Sequence, residues 1–174
     1  TSVYSFRNQS EKLIAKCYML SERLKEFFTN DIKIEMCIDY PSIIKFVGFS
    51  FIHNDKHKNA IIMENASKQN LNDVLHNFSD DVNFDAEEGD DKFNNFRFTN
   101  TLKQIFIIGI AGGLKYLHEI GITHCDISAS NILIDENFHP KITGFSISFA
   151  GDNLIRKTLC GTASYIAPET FLDL

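Results

Sequence analysis

The stretch that most restricts the fold is "TNTLKQIFIIGIAGGLKYLHEIG", residues 99–121, followed closely by two short apolar runs, "NILID" (131–135) and "PKIT" (140–143). Residues 99–121 predict one long helix. Thr101 and Gln104 fit a capping box at its start, and Gly121 is a natural stop. Leu102, Ile105, Ile108 and Gly112 recur on one face, which predicts a well-buried helix. Glu136 and Asn137 supply a turn between the two apolar runs, so residues 131–143 read as a β-hairpin.

The front half has a different texture. "LIAKCYML" (13–20) is a strand candidate. "SERLKEFFTNDIKIEMCI" (21–38) switches to helical spacing, with Leu24, Phe28, Ile32 and Met36 forming one apolar stripe. Tyr40-Pro41 is expected to end that helix, because proline disfavours helix in the residue before it. "SIIKFVGFSFI" (42–52) and "AIIMEN" (60–65) are β-rich, with the polar turn "HNDKHKN" (53–59) between them. The order is strand, helix, strand, strand, then a short helix candidate at 70–78. Residues 146–168 are turn-rich.

Composition excludes several function classes. The 174 residues are 44% hydrophobic and 23% charged, ordinary for a globular domain. Net charge is −6, and "DDVNFDAEEGDD" (80–91) holds seven carboxylates and no base, so the remainder carries +1. Such a chain shows no basic face for nucleic acid and none for a membrane surface. Residues 80–91 read as a solvated acidic loop, with a docking arm for a basic partner as the sharper alternative. Cys17, Cys37, Cys125 and Cys160 form no C-x-x-C pair. Without a signal peptide, they suggest a reducing, cytoplasmic compartment. "IFIIGIAGGL" is too short to span a bilayer. His53 and His57 sit in a polar turn, where solvated histidines are the expectation rather than a metal pair. Thr1 and Leu174 both look like cuts through something longer.

The order "YLHEIGITHCDISASNILIDENFHPKITGFS", then "CGTASYIAPE", resembles a eukaryotic protein kinase domain of the tyrosine-kinase-like group, serine/threonine type. The family pattern is H-R-D-x-K-x-x-N, then D-F-G, then A-P-E, and the likeness extends over nearly the whole chain. It implies an α+β, two-lobed kinase-like fold: a small β-rich N-lobe with one helix (residues 1–65) and a partial helical C-lobe (66–174) carrying the acidic insertion at 80–91. The Gly-rich loop would precede Thr1, with Val3 as its trailing valine. The resemblance assigns nucleotide-binding positions to Val3, Lys16, Asp31, Met63, Glu64, Ala66 and Leu133. Lys16 and Asp31 stand where a lysine and a helix glutamate pair to hold ATP phosphates. Met63 is the gatekeeper, with Glu64-Asn65-Ala66 beside the adenine. Asp126 matches the catalytic aspartate, Asn131 a Mg²⁺ ligand, and Phe145, Thr158, Thr162 and Glu169 the activation segment. Thr162 matches the threonine that steadies the catalytic aspartate. ATP and Mg²⁺ are the implied cofactors, and a protein substrate or partner the implied macromolecule.

Several positions depart from the pattern. Gly144 stands where D-F-G has its aspartate, and glycine has no oxygen to offer a hard cation. Ser146 replaces the motif's glycine, Ser128 its catalytic-loop lysine and Cys125 its arginine. Asp31 is one methylene shorter than glutamate. Glu35 falls where an apolar residue usually packs, and Ile14 where an alanine roofs the adenine. His124 is expected to pack rather than act as a base. Losing one pre-placed electrostatic group costs ~10²–10³ in rate. Losing two would lower a kinase of ~1–100 turnovers per second by ~10⁴–10⁶. Three readings stay open: a pseudokinase, a weakly active serine/threonine kinase, and a decayed fragment.

Overall fold

The computed structural model describes residues 2–8, 11–19, 22–51, 58–66, 70–76, 99–151 and 161–171. Thr158, Cys160, His53, His57 and the acidic segment 80–91 lie outside these.

Four strands build the first layer: β1 (Ser2–Asn8), β2 (Glu11–Met19), β3 (Phe46–Phe51) and β4 (Lys58–Glu64). They form one antiparallel sheet in the order β1-β2-β4-β3. Strand β1 was not foreseen from the sequence. Its register sets Val3 opposite Lys16, and the β2–β4 register sets Lys16 opposite Ile61 and Ile14 opposite Met63.

Helix α1 (Glu22–Glu35) packs beside β2. It ends five residues before Tyr40, with single turns closed by Met36 N to Ile32 O and Cys37 N to Ile34 O. The expected stripe is therefore rotated. Met36 is 62% exposed, and Phe28, Asp31, Ile34 and Glu35 are the buried positions. Two carboxylates on the buried side of a short helix are what apolar periodicity cannot register, since each reads as polar.

The second layer is helical. Helices α2 (Leu71–His76) and α3 (Asn100–Glu119) precede a short strand β5 (Ile122–Thr123) and the hairpin β6 (Ile132–Ile134) and β7 (Pro140–Ile142). Strand β8 (Phe149–Ala150) pairs with β5. The helix cap is Thr99, whose hydroxyl accepts from Leu102 N at 3.3 Å, two residues before the expected Thr101. Gly121 stops the helix at φ +73°, as expected. The buried side of α3 is Phe106, Gly113 and Leu117, while Ile108 is 71% exposed, against the expected face. The glycines decide the face: a Cβ at Gly113 would stand 2.7 Å from Ile142 Cδ1, and one at Gly109 2.5 Å from Pro140 Cγ. The bare side of α3 lies against β7.

The two layers meet along a shared core. Ile34 and Ile38 from the α1 side pack with Leu117, Ile132, Ile142 and Phe145 from the helical side. Backbone also crosses the join, with Ile44 N donating to Ile142 O at 2.9 Å and Ile142 N to Ser42 O at 2.8 Å. This is the two-lobed arrangement implied by the sequence, with a small β-rich lobe and few helices.

Candidate functional site

Along the join, strand alternation brings Lys16 to the face of β2 that looks onto α1. Its ammonium lies 3.3 Å from Asp31 Oδ2, with Asp31 fully buried. The 15-residue spacing thus forms the ion pair that the resemblance implied. Tyr18, two residues along the same strand face, also donates its hydroxyl to Asp31 Oδ2. Burial and the adjacent Asp31 hold the Tyr18 hydroxyl far above its ordinary range, so it stays a donor. Lys16 Nζ sits 5.3 Å from the Tyr18 ring centroid, and that ring meets Phe28 edge-on. Glu35, one turn beyond Asp31, is 3% exposed and neither carboxylate oxygen has a hydrogen-bond partner. Burial, then Asp31, pushes its carboxyl up to about 8, with Lys16 opposing.

Met63 and Ala66 are buried beside Lys16's strand in one apolar cluster, and Leu133 of β6 packs against that cluster from the other layer. The Glu64 side chain is engaged within the chain: its Oε1 accepts from Lys45 N at 3.1 Å and lies 2.9 Å from Lys141 Nζ. Ile14 is half-buried opposite Met63. Of Val3 only the backbone register is described.

The polar loop between β5 and β6 carries the remaining groups. His124 is buried, with Nε2 3.0 Å from Thr143 O and Nδ1 accepting from Asp126 N at 3.2 Å. A carbonyl only accepts, so Nε2 bears the proton and the ring is neutral. Burial lowers its pKa further. Its ring meets Phe145 edge-on at 4.8 Å, and Phe145 is fully buried. His124 and Phe145 therefore pack, as expected.

Asp126 is half-buried, and both of its carboxylate oxygens accept internal hydrogen bonds. Oδ1 accepts from Thr162 N at 2.8 Å and Thr162 Oγ1 at 2.7 Å. Asn131 Nδ2 donates at 2.8 Å both to Asp126 Oδ2 and to its backbone carbonyl. Cys125, just before it, is at φ +66°, a region costly for a side chain with a Cβ. Ser128 is buried with its hydroxyl unpartnered, so it does not stand in for an exposed lysine. Glu169 lies on an exposed turn, Pro168–Phe171.

The sequence reading brought Lys16 to Asp31 and Thr162 to Asp126. It missed Tyr18, Asn30 and the hydroxyl of Ser146, which all converge near Asp31. Only Tyr18 left a trace, two residues from Lys16 on a strand.

This geometry is that of a known family. A model of the protein kinase domain matches residues 1–173. The chain belongs to the protein kinase family. The kinase domain is 27% identical over 162 residues to serine/threonine-protein kinase polo of Drosophila melanogaster, covering 91% of this chain and 24% of that protein. It is 30% identical over 161 residues to developmentally-regulated protein kinase 1 of Dictyostelium discoideum, covering 91% and 20%. Against Aurora kinase B of Danio rerio it is 25% identical over 158 residues, covering 91% and 43%. The chain spans between 14% and 43% of the length of such curated relatives.

Kinase domains generally use ATP with Mg²⁺, and the donors present here can be tested against that ion. Gly144 is at φ +94°, and a Cβ there would stand 2.9 Å from Asn131 Cγ and Oδ1. The carboxamide of Asn131 occupies the space beside position 144. Mg²⁺ needs a near-octahedral set of oxygens, usually with one or two carboxylates among them. Asn131 still has its carboxamide oxygen, its Nδ2 being the atom that bonds Asp126, but Gly144 brings no carboxylate. No group of three His, Cys, Asp or Glu side chains converges among the described residues. The residues present do not fit the two-ligand Mg²⁺ site of the family pattern. Among the described residues no helix is long and apolar enough to cross a membrane.

Proposed function

We propose that this kinase domain is a pseudokinase of the tyrosine-kinase-like group: a signalling module that binds a protein partner and can hold a nucleotide, with phosphoryl transfer impaired. The observation that carries this is position 144, where glycine offers no oxygen and the Asn131 carboxamide fills the adjoining space. Its nucleotide contacts would be the 63–66 strand end, Leu133, Val3 and the Lys16–Asp31 pair. Asp126 would be the former catalytic residue and Asn131 the former metal ligand. Thr158, Thr162 and Glu169 would mark the activation segment. A cytoplasmic location is proposed on the cysteine content alone.

A second reading, a weak serine/threonine kinase, is favoured by the intact Lys16–Asp31 pair and by Thr162 on Asp126. The test is thermal shift of the full-length protein with ATP, with and without Mg²⁺ or Mn²⁺, followed by a γ-phosphate transfer assay against Asp126→Asn. The expected outcome is a shift with ATP that divalent metal does not enlarge, and equal background transfer for both proteins. Metal-dependent transfer that Asp126→Asn abolishes would replace the pseudokinase reading with the second one.

A further inference from the structure

The segment after Phe145 is tied to α1 more heavily than packing of its phenyl ring requires. Asn30 Nδ2 lies 2.8 Å from Ser148 O, 3.2 Å from Ser146 O and 3.4 Å from Phe145 O. A carboxamide NH₂ carries two hydrogens, so the two nearer carbonyls are served well and the third shares. A bond returns the other way: Ser146 Oγ donates to Asp31 Oδ2 at 3.0 Å. That oxygen is the one that Lys16 holds at 3.3 Å and that Tyr18 also reaches. Asp31 and Ser148 are fully buried, so water offers no substitute partner. Ser148 is anchored in turn, its hydroxyl donating to His124 O at 2.8 Å. An aspartate reaches less far than a glutamate, and its carboxylate needs other donors to stay beside Lys16. A glycine at 146 could supply none.

We infer that Ser146 and Asn30 are positioning residues that lock residues 145–148 to α1, keeping Asp31 on Lys16 in the absence of any ligand. Helix and segment then open as one body. This goes beyond the functional proposal and is independent of whether phosphate is transferred, because both contacts are internal to the chain.

The test is hydrogen exchange by mass spectrometry on the ligand-free chain, reading residues 22–35 and 145–150, together with labelling of Lys16 by a lysine-directed acylating reagent. Ser146→Ala and Asn30→Ala remove the two donors; Ser146→Thr keeps the hydroxyl. Losing a hydrogen bond to a buried carboxylate predicts that Ser146→Ala raises exchange in both segments, and labelling of Lys16, by about tenfold. Asn30→Ala should raise exchange in both segments too. Ser146→Thr should hold wild-type values, and the hairpin 132–142 should not change in any variant. Equal acceleration of the hairpin would mean general destabilisation and overturn the proposal, as would failure of threonine to rescue. If a variant does not fold, the wild type decides: opening rates of the two segments that differ by more than about tenfold would overturn the lock, and matched rates would support it.

Discussion

Position 144 is held as glycine for two separate reasons. Its φ of +94° is strained for any side chain, and the Asn131 carboxamide stands 2.9 Å from where a Cβ would project. Restoring the family aspartate should therefore not restore a kinase. Gly144→Asp is expected to lose about 1–3 kcal/mol of stability and to leave transfer at background. A denaturation midpoint and the γ-phosphate assay check both halves, and Asn131→Ala in the same chain should recover part of the loss. Glu35 sets a pH dependence. Its carboxyl is raised from its ordinary 4.5 to about 8 by burial first and Asp31 second. The folded state thus holds a proton that the unfolded chain gives up, so this contribution is full below about pH 4.5 and is lost as pH rises through about 8. Glu35→Gln should flatten that slope in urea midpoints taken across the window, and an unchanged slope would assign it to another group. At this scale the sequence was readable where a spacing was long-established in a motif, as for Lys16 and Asp31. It was silent on Asn30, whose partners lie 115 to 118 residues away.

Helix α3 shows why element existence was legible and its face was not. Residues 105–114 are apolar throughout, so a window of hydrophobicity finds a helix but gives little direction. The face is chosen by missing side chains: Gly109 and Gly113 let β7 approach, while Ile107 and Ile108 are left 67% and 71% exposed. Gly109→Ala tests this. Alanine favours a helix by about 1 kcal/mol over glycine, yet its methyl would meet the stiff Pro140 ring at 2.5 Å. Overpacking of about 1–3 kcal/mol should win, lowering the thermal midpoint. A rise would mean the hairpin yields. The same local blindness explains α1, where the buried acids Asp31 and Glu35 disguised the inward side and the outward Met36 imitated it.

The whole molecule is fastened across its join rather than merely hinged there. Ile34 and Ile38 share a core with Leu117, Ile132 and Phe145, and the strand-end bonds between Ile44, Ser42 and Ile142 run alongside. Unfolding should be a single transition, with far-ultraviolet circular dichroism and tyrosine fluorescence coinciding; no tryptophan intervenes. Two separated transitions would show lobes that melt independently. A chain with no cooperative transition would instead support the decayed-fragment reading. Asp126 belongs to this fastening as well. With Thr162 bound twice to one oxygen and Asn131 to the other, it joins the loop after β5 to residues 161–171. Asp126→Ala should consequently free that segment, seen as faster proteolysis near 161–171. A residue so employed would be retained by selection for shape alone. An aspartate standing at the catalytic position of the kinase motif is then no testimony that transfer chemistry goes with it.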